Sequence, residues 1–322
     1  MAYNCVVTGA TGYIASELCK QLLVKGYNVK GTVRSLRRQE KIQHLINLGD
    51  ALPGKLTLHE ADLLSDGSFD SVVKGADLVF HTASPFFISG TDDPQRDLVN
   101  PAVKGTKNVL SAAIKSKDTV RRVVLTSSTA AVVKNKKGPS NGSLYTEEDW
   151  NDESSLTVSP YMYSKTQAEK AAWEMAKEAG LDLIVINPSF VLGPVLTNQA
   201  FSTSIQLMKD FVENTETTML ARQVDVRDVA RAHVLASEVP EAKGRYIVSH
   251  ESTASTKQLS DILSARFPQY RFPAGDDTPL ERVADTSKAH RELGIKLRPL
   301  KETYIDMVTT LIQQKIAAPV AK

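Results

Sequence analysis

A doubly wound α/β fold follows from three features of this 322-residue chain. Through residues 1–190, short β-branched runs alternate with stretches long enough for helices, which is the rhythm of βαβ units. The apolar runs are continuous rather than alternating, so each strand is buried on both faces, as in a parallel sheet. Beyond Pro188 the rhythm breaks at Gly193-Pro194, Pro240, Pro268, Pro273 and Pro279, which marks a smaller second α/β lobe.

The elements are expected in this order. Strands fall at 3–8, 28–33, 55–58, 78–80, 120–126 and 183–187, with helices between them at 13–25, 39–48, 69–74, 97–116 and 161–179. In the second lobe, helices are expected near 199–213, 256–266 and 303–314. The chain therefore divides into a sheet domain over 1–190 and a lobe over 191–322, with 224–237 returning to the sheet domain. A low-complexity loop covers 134–143.

Composition excludes several functions. Apolar residues make up 42% and charged residues 24%, ordinary values for a globular chain. Thirty-nine Lys and Arg against thirty-seven Asp and Glu leave +2, which calls for neither nucleic acid nor an anionic membrane. Cys5 and Cys19 are too few for a disulfide framework and fit a reducing compartment. The six histidines show no metal-ligand spacing, so no metal site is expected. The N-terminus lacks the basic start of a signal peptide, and no apolar run is long enough to span a bilayer. A cytoplasmic protein is expected, and the lack of a coiled-coil heptad suggests a monomer or weak homodimer.

Four constellations carry chemistry. Thr8-Gly9-Ala10-Thr11-Gly12-Tyr13-Ile14-Ala15 follows the first strand and opens the first helix, the context of a dinucleotide fingerprint. Gly9 permits the tight turn, Gly12 lets backbone approach a pyrophosphate at the positive helix end, and Ala15 is the small third residue. The sheet domain is then a dinucleotide-binding domain. The second strand ends not in an acid but in Arg34, with Arg37, Arg38 and Lys41 beyond. An acid there would accept from a ribose 2′-hydroxyl, whereas Arg34 offers a fork of donors to a 2′-phosphate or forms a solvated basic helix start. Tyr161 and Lys165 stand one helical turn apart, so phenol and ammonium share a face. A nearby cation is expected to lower the phenol's pKa towards the working range. Tyr163 is out of register and faces elsewhere. Finally, Ser127 and Ser128 lie at the carboxyl end of a strand, where one serine can orient a substrate oxygen and the other can satisfy loop amides.

Taken together, these features resemble the extended short-chain dehydrogenase/reductase family. Within it, the chain resembles the group of dihydroflavonol reductase, cinnamoyl-CoA reductase and the yeast-type methylglyoxal and aldehyde reductases. The group-like segments include Gly31-Thr32-Val33-Arg34, Glu60-Ala61-Asp62-Leu63, His81-Thr82-Ala83-Ser84-Pro85, Asn187-Pro188 and Val224 through His233. The resemblance implies the Rossmann form of the fold, NADP(H) as cofactor and a Ser-Tyr-Lys mechanism. Ser128 matches the catalytic serine, Tyr161 the proton donor and Lys165 its partner. Arg34 and Lys41 match contacts to the 2′-phosphate, and Asp62 and Leu63 match neighbours of the adenine. The glycine turn with Thr8, Thr11, Tyr13 and Ile14, together with Thr82, Ala83 and Ser84, matches the phosphate and ribose surroundings. Pro188, Ser189 and Val191 match the segment beside the nicotinamide carboxamide, and Ser204 matches a further cofactor contact.

The implied partner is a small-molecule carbonyl substrate. Its pocket is expected from 84–87, 130–133, Tyr161, 191–201 and 223–226. The stretch after the catalytic serine, Thr129 through Val133, is apolar where the plant flavonoid enzymes carry a polar residue. A carbonyl compound smaller or less polar than dihydroflavonol fits better. The expected reaction is reduction of an aldehyde or ketone to the alcohol. The competing readings are a sugar-nucleotide epimerase or dehydratase on the same scaffold, which the basic Arg34 site argues against, and a non-catalytic dinucleotide sensor, which would not need the Ser-Tyr-Lys set.

Overall fold

Every strand of the main sheet pairs in parallel, as continuous apolar runs demand. The computed structural model describes residues 2–84, 92–134, 142–198, 202–215, 222–278 and 282–322. Its seven-stranded sheet has the order β3-β2-β1-β4-β5-β6-β9, formed by β1 (Asn4–Val7), β2 (Asn28–Val33), β3 (Lys55–Glu60), β4 (Leu78–His81), β5 (Arg122–Thr126), β6 (Leu183–Pro188) and β9 (Gly244–Val248). The chain winds outward from β1 in one direction and, from β4, in the other. The topological switch lies between β1 and β4, which pair with Cys5 opposite Leu78 and Val7 opposite Phe80. Open α/β sheets bind ligands in the crevice beyond the carboxyl ends of such a pair.

Helices cover both faces because successive side chains of each strand point to opposite sides. Cys5, Val7, Val29, Phe80, Ile184 and Ile186 pack against α1 (Tyr13–Val24), α2 (Gln39–Ala51), α7 (Val226–Glu238) and α9 (Ser287–Leu293). Val6, Val79, Val123 and Val185 pack against α3 (Asp70–Val73), α4 (Asn100–Lys115) and α5 (Pro160–Ala179). A π-helical turn over Gln95–Val99 leads into α4, so the start of the helix expected from 97 is wound more loosely. The second lobe has its own core, where Leu192, Met208, Phe211, Leu263, Met307 and Leu311 pack together. These come from α6 (Thr203–Val212), α8 (Thr256–Arg266), α10 (Leu300–Gln313) and a two-stranded parallel sheet, β7 (Phe190–Leu192) with β8 (Gln223–Asp225).

The expected strands and helices of residues 1–190 are present with ends shifted by a few residues; of 224–237, residues 226–237 lie in α7, which packs on the main sheet, whereas 224–225 belong to β8 of the two-stranded sheet. Four elements were not anticipated: β7, β8, β9 and α9. The strands β7 and β8 are three residues long, and β9 carries the charged Arg245 in its interior, which interrupts the apolar run. Among the described residues, no helix is long and apolar enough to cross a membrane.

Candidate active site

The glycine turn is anchored to the two neighbouring strands. Gly9 has φ +65°, and a Cβ there would stand 3.0 Å from the Ala83 Cβ, so the position needs glycine for both conformation and space. The Gly9 and Ala10 amides donate to the Thr32 hydroxyl and carbonyl at 3.1 and 2.8 Å. Gly12, exposed and extended, caps α1 without a side chain, and no acidic residue occupies the helix's first turn. The first amides of α1, from Tyr13 and Ile14 onward, therefore have no intrahelical acceptor and face an open end with Thr11 beside them.

Thr8 and Tyr13 serve that turn differently from expectation. The Thr8 hydroxyl accepts from the Thr82 and Ala83 amides at 3.1 and 3.0 Å and lies 2.9 Å from His81 Nδ1. With its acceptor sites filled, it donates to the histidine, which is then the neutral tautomer protonated on Nε2. Burial, and next the Lys165 charge, hold that imidazole down at about 3. The Thr82 hydroxyl donates to the Thr8 carbonyl. Thr8 and Thr82 thus clamp the ends of β1 and β4 together. The Tyr13 hydroxyl donates to the Gly193 carbonyl at 2.6 Å, so its side chain is engaged with the second lobe and only its amide remains for a ligand.

At the other end of the crevice, Arg34 is exposed just beyond β2 and makes no ion pair among the described residues. Lys41 lies in the first turn of α2. The turn after β3 that holds Asp62 and Leu63 is built by Asn108 of α4. Its amide donates to the Leu63 and Ser65 carbonyls at 3.2 and 2.7 Å and accepts from the Gly67 amide at 3.0 Å.

The candidate reactive side chains meet where β5, α5 and the end of β4 come together. Lys165 Nζ donates to the Ser84 hydroxyl at 2.9 Å and lies 5.9 Å from the centre of the Tyr161 ring. Burial lowers the Lys165 ammonium to about 8. Tyr161 leaves 40% of its surface exposed, yet burial around the phenol raises its pKa, opposed by a hydrogen bond with the Ser128 hydroxyl. The expectation that Lys165 depresses this pKa is therefore corrected: burial sets the direction, and the group that opposes it is Ser128. Ser128 also accepts from the Ala130 amide at 3.1 Å. Ser127 turns the other way, into the protein, and donates to Glu169 at 2.5 Å.

The remaining expected residues are spread along the same face. Pro188 ends β6, and the Ser189 amide donates to Val248 at 3.1 Å while its buried hydroxyl has no partner among the described residues. Val191 lies in β7. Ser204 is buried in the first turn of α6, its hydroxyl 3.0 Å from that of the capping Ser202. The expected pocket needs revision. Ala131 and Val132 are fully buried, Val132 against Tyr145, Ile247 and Val283. Residues 223–226 are also buried, with Gln223 accepting from Tyr304 and Asp225 paired with Arg227. Residues 85–87 and 199–201 of that pocket, and 135–141 of the low-complexity loop, lie outside the described residues.

Sequence reasoning missed His81, Asn108, Glu169, Asn187 and Arg245. Two of these carried a signal: Glu169 follows Lys165 by one helical turn on the same face, and Asn187 closes a strand directly before Pro188.

The site fits a nicotinamide dinucleotide on three observations: the glycine cradle that a Cβ would fill, the uncapped start of α1, and the orphaned Ser189 hydroxyl. Fold and site together define a class, the α/β oxidoreductases that work with such a cofactor. The model of the NAD dependent epimerase/dehydratase family matches residues 5–249, and the chain belongs to that family. It is 40% identical to cinnamoyl-CoA reductase CAD2 of Medicago truncatula, over 97% of this chain and 96% of that protein. It is 38% identical to dihydroflavonol 4-reductase of Arabidopsis thaliana, over 96% of this chain and 82% of that protein. Among solved structures, yeast methylglyoxal/isovaleraldehyde reductase Gre2 complexed with NADPH superposes with a TM-score of 0.85 at 32% identity, covering 98% of this chain and 100% of that one.

Proposed function

We propose that the chain is an NADPH-dependent carbonyl reductase that converts an aldehyde or ketone to the alcohol. The observation that carries this reading is the meeting of the Ser128 hydroxyl, the Tyr161 phenol and the Lys165 ammonium beside the β4 loop. When bound, the reduced nicotinamide supplies a hydride. Ser128 holds the carbonyl oxygen by a hydrogen bond and stabilises the charge that develops on it. Tyr161 delivers the proton to that oxygen, and Lys165 supports the phenolate left behind. Arg34 and Lys41 would hold a 2′-phosphate, Asp62 and Leu63 would border the adenine, and the α1 amides would take the pyrophosphate. Ser189, whose hydroxyl has no partner among the described residues, would meet the carboxamide. The relatives are named for carbonyl compounds of different sizes, and the apolar surroundings of Thr129, Ala130 and Val133 favour a small or weakly polar one.

The proton-donor assignment has a direct test. Tyr161→Phe keeps the ring but deletes the proton, so kcat falls by about two to four decades with NADPH affinity little changed. Tyr163→Phe leaves kcat within a small factor. An active Tyr161→Phe beside a dead Tyr163→Phe would overturn the assignment.

A further inference from the structure

Behind the candidate catalytic residues lies a buried polar network that the proposed reaction does not use. Its centre is Glu169, two helical turns beyond Tyr161 and one beyond Lys165 on α5, with a side chain sealed from solvent. Four groups converge on this carboxylate. The Ser127 hydroxyl donates at 2.5 Å, Asn187 Nδ2 at 2.9 Å and the Trp173 indole at 3.2 Å, while Arg245 Nε lies 2.6 Å away. Arg245 is itself buried in β9. It donates to the carbonyls of Glu147, Asp149 and Ala131 and lies 4.0 Å from the centre of the Trp150 ring.

The network holds the segment that carries Ser128 at Ser127, Ser128 and Ala131, and Asn151, outside the network, holds it at Ala130. Ser127 is held by its side chain. The Ser128 carbonyl accepts from Asn187 Nδ2 at 3.0 Å, the Ala130 carbonyl from Asn151 Nδ2 at 2.9 Å, and the Ala131 carbonyl from Arg245 at 3.3 Å. Asn187 donates to two acceptors, a carboxylate and a carbonyl, so the orientation of its amide is fixed.

We propose that the Glu169–Arg245 pair is a positioning device: through Ser127 and Asn187 it fixes the Ser127–Ala131 segment against α5 and so sets where Ser128 stands relative to Tyr161 and Lys165. The inference rests on the proposed reductase reading. A plain stabilising role would need only satisfied partners anywhere in the core. Here the partners are the residue before Ser128, the carbonyl of Ser128 itself, and the helix that carries the other two reactive groups. Glu169 and Arg245 touch no reacting atom and act only through what they hold.

Removing either charge outright endangers folding, because a buried charge would lose its partner. The test therefore uses three mild variants in the full chain. Ser127→Ala deletes one hydrogen bond to Glu169, Ser127→Thr keeps the hydroxyl, and Trp173→Phe deletes a different bond to the same carboxylate without touching the Ser128 segment. The expected result is a loss of at least about tenfold in kcat for Ser127→Ala, with NADPH Kd within about twofold. Ser127→Thr restores kcat to within a few-fold, and Trp173→Phe leaves it unchanged even if it lowers Tm. Wild-type kcat in Ser127→Ala overturns the proposal, as does an equal loss in Ser127→Ala and Trp173→Phe. A crystal structure of Ser127→Ala supplies a readout that needs no turnover. A Ser128 hydroxyl displaced from Tyr161 supports the device, and an unmoved one overturns it. A wild-type chain that turns over no carbonyl compound would instead overturn the reductase reading, a separate failure.

Discussion

Lys165 is the residue whose surroundings most directly predict a measurable behaviour. Burial brings its ammonium down to about 8, below the ordinary lysine value, so the cation is lost as pH rises through that point. If the cation supports the Tyr161 phenolate, kcat/KM for NADPH is flat below this range and falls above about 8, because that ratio reports the free enzyme. Lys165→Arg, which stays charged, removes the fall; an identical profile in both would take Lys165 out of the mechanism. Arg34 is the residue proposed to set the cofactor preference. Exposed and without an ion pair among the described residues, it is available to a 2′-phosphate. Losing one charge-assisted contact costs about 1.5–3 kcal/mol, so Arg34→Glu is expected to weaken NADPH by one to two decades and NADH far less. Equal losses, measured by fluorescence titration, would refute the assignment. At this scale spacing paired the tyrosine with the lysine, while the choice of Ser128 over Ser127 came only from the family resemblance. The sign of the tyrosine shift was hidden, since it depends on how deeply the phenol is covered.

At the scale of elements, the crevice depends on the close approach of the glycine turn to the loop after β4. Gly9→Ala places a side chain at φ +65°, which costs roughly 1–2 kcal/mol, and drives a methyl against Ala83. NADPH and NADH affinities should fall by the same factor, with a lower Tm, which separates this backbone effect from the selective effect of Arg34. Unequal losses would show that the turn reads the 2′-phosphate as well. The strands β1, β4, β5 and β6 were legible because parallel strands buried on both faces read as apolar runs, whereas β2 and the half-exposed edge strand β3 were legible from their place in the βαβ rhythm. β9 was not, because its second residue is Arg245, whose charge is answered by Glu169, a partner remote in sequence. Such pairing is invisible to local pattern, and so was the network that holds Ser127 and Asn187.

On the scale of the whole molecule, two cores meet at the crevice, and an ion-pair cluster ties them. Arg227 at the start of α7 reaches Asp225 at 2.8 Å and Asp306 of α10 at 2.7 Å, while Arg298 pairs with the buried Asp228. Tyr13, at the start of α1, packs into the second lobe's core and bonds Gly193 there, so the dinucleotide turn and the lobe are joined directly. The decisive measurement is turnover by the purified chain with NADPH and a panel of aliphatic, aromatic and dicarbonyl compounds, following cofactor oxidation and product together. The account predicts that at least one compound gives alcohol and NADP⁺ in equal amounts, with NADH much the poorer donor. No turnover with any carbonyl, together with a nicotinamide dinucleotide retained stoichiometrically through purification, would contradict it and favour an epimerase.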